Sequence, residues 1–180
     1  MLSNLDPIVK QETSRWGLTL AAINVGFYLV AYLFARDLFV NFFVTGTLFI
    51  VNIVILIVAV RAVKKAKEGF VTFKEAFSVA FLTSLIYSLI RTTFVILLFN
   101  VIDPQAADEI QEKVIENTVA MAERFGGDVS DIDELVKSLE ENNQFGTSTQ
   151  VRGFFTGLLF SAILALIIAA FMKKDRPIYE

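Results

Sequence analysis

Four stretches of this chain, residues 16–35, 38–60, 77–102 and 151–172, are almost free of charge and each is about the length of a membrane crossing. A helix needs about 20 mostly apolar residues to pass through the hydrocarbon core. Only Arg36 and Asp37 separate the first two stretches, which reads as a tight antiparallel helical hairpin. Fused into one helix they would run to about twice the 30 Å apolar thickness, so two spans are the better reading. Composition agrees. The chain is 55% apolar and 19% charged, against roughly 45–50% and 25% in soluble domains, and its charges are bunched between the apolar blocks. The prediction is an all-α polytopic membrane protein with four transmembrane helices and an acidic helical hairpin between spans three and four.

The first span is read as retained and not as a cleaved leader. It is longer than the 7–15-residue apolar region of a signal peptide, and Leu33 spoils a small-x-small site ending at Ala35.

Lys and Arg set the expected orientation. The segment 1–15 carries Lys10 and Arg15. The loop 61–76 carries Arg61, Lys64, Lys65, Lys67 and Lys74, and the tail 173–180 carries Lys173, Lys174 and Arg176. Four spans put these three segments on one side. Residues 103–150 hold 12 acidic residues against Lys113, Arg124 and Lys137. The expected location is the bacterial inner membrane, with both termini cytoplasmic and 103–150 periplasmic.

In the acidic segment, Asp103-Pro104 has the form of a helix start, with Asp as N-cap and Pro at the first helical position. Ile110, Val114, Thr118, Met121 and Phe125 recur at helical spacing, and Gly126-Gly127 supplies a stop. A second helix is expected from Ser130, with Ile132, Leu135, Val136 and Leu139 as its apolar stripe. Two such short helices cannot bury a core alone, so their stripes pack on each other, on the span ends or on a partner. The cluster Asp128, Asp131, Asp133 and Glu134 lacks the spacing of a calcium loop and suits a helix N-terminus.

Inside the spans, Gly153, Gly157, Ser161, Ala165 and Ala169 place a small residue at every fourth position of the last span. Such rows let helix backbones approach closely. The row serves either packing against another span of the chain or an interface with a second subunit. Ala80, Ser84, Ser88 and Thr92 form a similar row in the third span, and the two rows facing each other is the simplest use of both. Asn24 and Asn52 stand at matching depths and are placed to pair across the first hairpin. Arg91 lies inside the third span, where a central charge costs at least ~2.5 kcal/mol. No Asp or Glu lies inside the four stretches. The Arg91 guanidinium either snorkels outward, toward water or a carboxylate such as Asp103, or pairs with carbonyls, or meets an anionic lipid, an anion or a partner's carboxylate.

The order of a basic loop, EGFVTFKEAFSVAFLTS entering the third span, LFNVIDP leaving it, an acidic helical segment and a last span closing in MKKDR resembles the bacterial four-span family catalogued as domain of unknown function 4199. Gly69 to Phe77 and Asn100 to Pro104 are its most specific parts. The resemblance implies a small envelope protein of the inner membrane and no particular activity.

Chemistry is scarce. The chain has neither Cys nor His, which excludes disulfides, thiol nucleophiles and the commonest general base. No Ser, Lys or carboxylate set forms a nucleophile–base pair, so no enzyme, metal or cofactor is expected. The leading expectation is a small accessory or interaction protein, self-associating or attached to a larger membrane complex, with lipids and membrane proteins, not nucleic acid, as partners. The alternative is a transporter or channel component. The spans carry no carboxylate and no proline, which counts against that alternative.

Overall fold

A computed structural model of the protein describes residues 6–126 and 128–176, the side chain of Val129 excepted. Gly127, expected to help stop the first hairpin helix, lies outside the described residues. So do residues 1–5 and 177–180 of the two terminal segments.

The described chain is all-α, with six α-helices: α1 (Pro7–Phe34), α2 (Phe42–Ala66), α3 (Phe73–Leu97), α4 (Pro104–Arg124), α5 (Val129–Glu141) and α6 (Thr147–Met172). A single π-turn, Leu98–Ile102, prolongs α3. With that turn included, α1, α2, α3 and α6 are the four helices long and apolar enough to cross a membrane.

The helices outrun the apolar stretches that announce them. α1 has 28 residues, about 42 Å at 1.5 Å per residue, and starts well before Trp16. Asp6 and Pro7 explain that start: the Ile8 amide donates to Asp6 Oδ1 at 2.9 Å, and Pro stands where no amide hydrogen is needed. α2 starts later than expected, at Phe42 and not at Leu38. Residues Arg36–Phe39 form a 3-10 turn, and Asn41 resets the helix by accepting from the Val44 amide at 3.2 Å.

The chain packs as two compact units. The first comprises the residues up to 24, 48–91 and from 154 onward; the second comprises 25–47 and 92–153. The core of the first unit is aliphatic, with Leu56, Val60 and Val63 of α2, Val79 and Ala80 of α3, and Ala165, Ile168 and Ala169 of α6. Its helices close up tightly: a Cβ added at Gly17 would stand 2.8 Å from Ile86 Cβ.

The second unit is built on aromatic rings. Phe99 and Phe145 lie 4.4 Å apart between centroids with their planes tilted by 44°, and Phe39 and Tyr32 meet Phe99 edge-on. Asp103 caps α4 through the Ala106 amide at 3.0 Å, with Pro104 at the first helical position, as Asp103-Pro104 predicts. α4 packs on the π-turn, on the 3-10 turn and on α5. Its expected stripe is covered only in part. Ile110 is fully buried, whereas Met121 is 54% and Phe125 86% exposed. Gly126 ends α4 in the left-handed region, at φ 77°.

Candidate functional site

A cluster of charged side chains on the first unit gathers where α2 ends, α3 begins and the tail leaves α6. α2 terminates with Glu68 at φ 59°, while the Gly69 amide donates back to Lys64 O at 2.8 Å and the Glu68 amide to Lys65 O at 3.2 Å. This is the double carbonyl closure of a helix C-terminus, with glutamate in the left-handed position that usually takes glycine. The chain then runs extended through Val71, whose amide donates to Lys174 O at 3.0 Å and whose carbonyl accepts from the Lys174 amide at 2.8 Å. Lys64 Nζ donates to the Met172 carbonyl, an unpaired acceptor at the end of α6, at 2.9 Å. Loop and tail are thereby clasped.

Thr72 and Glu75 open α3 as a reciprocal capping box. The Glu75 amide donates to Thr72 Oγ1 at 3.2 Å, and the Thr72 amide donates to Glu75 Oε2 at 2.9 Å. Glu75 also pairs with Lys67, which donates to Asp6 Oδ2 at 2.8 Å. One lysine thus ties the start of α1 to the start of α3. The hydrogen bond from Lys67 holds the Asp6 carboxyl below its usual range. The bonds to Asp6 and then Glu75 raise Lys67 above the ordinary lysine value. These groups border a cavity of about 450 Å³, whose other walls are Phe70, Lys174, Asp175 and Arg176.

The residues singled out from the sequence separate by environment. Asn24 and Asn52 come together: Asn24 Nδ2 donates to Asn52 Oδ1 and to Leu20 O, both at 2.9 Å. Ser84 is fully buried and donates to Ala80 O at 3.0 Å, and half-buried Ser88 donates to Leu85 O at 3.2 Å. The small-residue row of α6 divides. Ala165 and Ala169 are buried in the first unit's core and Ser161 is half-buried, whereas Gly153 and Gly157 are exposed, with open space where a Cβ would stand. Arg91 is half-buried on α3. Asp103, one carboxylate considered for it, accepts from Tyr32 Oη at 2.9 Å and lies 3.8 Å from Arg36.

A family model described as a protein of unknown function, DUF4199, matches residues 15–174. The chain belongs to the DUF4199 family. No curated protein and no solved structure matches it. The matched region ends at Lys174, the residue that closes the clasp of this DUF4199 chain. The two stretches that carry the likeness in the sequence are both capped turns. Gly69 to Phe77 holds the turn, the bridge and the capping box; Asn100 to Pro104 holds the end of the π-turn and the cap of α4.

Sequence reasoning misses Asp6, Lys67, Thr72 and Glu75 as a group. Two signals for them were present. Asp6-Pro7 repeats the Asp-Pro start recognised at 103–104, and Thr72-x-x-Glu75 has capping-box spacing. That Lys67 bridges them depends on tertiary placement and has no local signature.

Proposed function

We propose that this DUF4199 chain is a small accessory subunit of the bacterial inner membrane, with both termini in the cytoplasm. It acts by associating with a second copy or a larger membrane complex. The observation that carries this reading is the division of the α6 row. Ala165 and Ala169 are used up inside the first unit, while Gly153 and Gly157 leave bare backbone open on the surface. In lipid, close backbone approach is a main source of helix–helix attraction, and two open glycines one turn apart offer it to a neighbour. The exposed Met121 and Phe125 of the acidic hairpin add a second uncovered apolar region. The basic loop and tail support the orientation, since Lys and Arg accumulate in cytoplasmic segments.

Gly157→Leu tests the reading. Apart from α6's own backbone, no described atom lies within 4 Å of the added Cβ, so the position opens onto free space. In mild detergent, the wild-type chain is expected to elute as a complex and Gly157→Leu as a smaller species with the same helical content. An unchanged elution volume removes the α6 face as the interface.

A further inference from the structure

The clasp gathers basic side chains that the sequence keeps about 100 residues apart. Lys174 Nζ lies 5.4 Å and Arg176 Cζ 5.9 Å from the Phe70 ring centroid, so one ring holds both cations near it. They border the 450 Å³ cavity, whose third cation, Lys67, is taken up by the two carboxylates of Asp6 and Glu75. Arg176 also meets Glu68 at 3.3 Å, but those side chains are 64% and 80% exposed. A pair that open to water is worth little and is readily exchanged for a better anion.

We propose that this cavity binds the phosphodiester headgroup of an anionic phospholipid, held by Lys174 and Arg176 over Phe70. Arginine presents a planar fork that matches phosphate oxygens in pairs, and Lys174 adds a point charge beside it. Asp175, in the same wall, is an acceptor for the hydroxyls of a glycerol headgroup and opposes a more highly charged phosphate monoester. Position favours a lipid over a soluble anion. α2 ends at Ala66, α3 starts at Phe73 and α6 ends at Met172, so the cavity sits where three spanning helices meet the headgroup layer. Phe171, 86% exposed one residue before the end of α6, offers acyl chains an apolar surface at that end of the helix.

The inference rests on the four-span fold and not on the association proposed above, because the cavity shares no residue with Gly153 or Gly157. The test uses the full-length protein in detergent micelles doped with equal amounts of phosphatidylglycerol and phosphatidylcholine, with adducts counted by native mass spectrometry. The wild type is expected to retain phosphatidylglycerol selectively. A basic residue near an anionic surface contributes about 1 kcal/mol, so K174Q/R176Q is expected to bind phosphatidylglycerol about 30-fold more weakly. Lys137→Gln, in the acidic hairpin, is expected to leave retention unchanged. If the double variant loses its helical signal, Arg176→Gln alone carries the test, with about a fivefold loss. Equal retention by the wild type and K174Q/R176Q overturns the proposal. Displacement of phosphatidylglycerol by millimolar inorganic phosphate also overturns it, by making a soluble anion the occupant.

Discussion

The two units of this protein solve helix packing with different materials. The first relies on small and branched aliphatic side chains and on backbone proximity, as at Ala80, Ala165, Ala169 and Gly17. The second relies on rings and on polar side chains that reach backbone. Asn100 Nδ2 donates to Phe145 O at 2.8 Å, Gln111 Nε2 to Leu139 O at 2.8 Å, and Gln111 Oε1 accepts from the Gln144 amide at 3.1 Å. The contrast follows from backbone regularity. The first unit is mostly uninterrupted helix, whose amides and carbonyls satisfy each other, so close approach is enough. The second contains a 3-10 turn, a π-turn and a loop at 142–146, whose orphaned backbone groups need side-chain partners.

The largest effect is expected from the aromatic cluster. Phe99→Ala removes the ring that touches Phe145, Phe39 and Tyr32 and is expected to cost about 3–5 kcal/mol. The loss should appear as a lower thermal midpoint, with protease cutting in 104–150 before the rest of the chain. Unchanged protection of 104–150 would show that the rings are not what holds the second unit.

A smaller effect is expected from overfilling the first unit. Gly17→Ala puts a methyl group 2.8 Å from Ile86 Cβ, which has little freedom to move, and is expected to destabilise by about 1–3 kcal/mol. Gly153→Ala, which meets open space, serves as the control for the same substitution without the contact. Equal midpoints for the two variants would show that backbone proximity is not limiting at Gly17.

The smallest effect is expected from pH. Asp103 is held below the usual carboxylate range by the Ala106 amide, then by Tyr32, with the Arg36 charge adding to both. Its contribution is complete above the ordinary aspartate value of about 4 and fades as pH falls through the lowered one. The first unit has that acid limb through Asp6 and an alkaline limb through Lys67. The raised lysine contributes fully below its ordinary value of about 10.4 and fades as pH rises through the raised one. Hydrogen-exchange protection at residues 67–75, corrected for the intrinsic rate, should therefore fall at both extremes, and loss of the Asp103 carboxylate lowers protection near it in acid. Loss at 67–75 confined to acid would remove Lys67 from the clasp.

Legibility in the sequence follows the same division. The spans are legible because hydrocarbon imposes a length and excludes charge, a rule that acts on each stretch separately. Asp103-Pro104 is legible because capping is local, and Asp6-Pro7 carries the same signal at a helix start that the apolar boundary at Trp16 conceals. The shift of α2 from Leu38 to Phe42 is harder to read. Leu38 and Phe39 are as apolar as a span, but Phe39 is taken by the ring cluster, and Asn41 caps the helix behind it. The clasp is not legible. Val71 and Lys174 are joined by backbone bonds, which leave no trace in side-chain pattern. The α6 row is regular in sequence, yet tertiary packing alone decides that Ala165 is covered and Gly157 bare.

The chain has no cysteine, so a single one introduced at Lys65 or at Asp131 reports orientation without background. In intact cells whose outer membrane has been made permeable, a charged maleimide that cannot cross the inner membrane is expected to label Asp131→Cys. Lys65→Cys should react only after lysis. Labelling of Lys65→Cys with protection of Asp131→Cys would contradict the four-span topology with cytoplasmic termini.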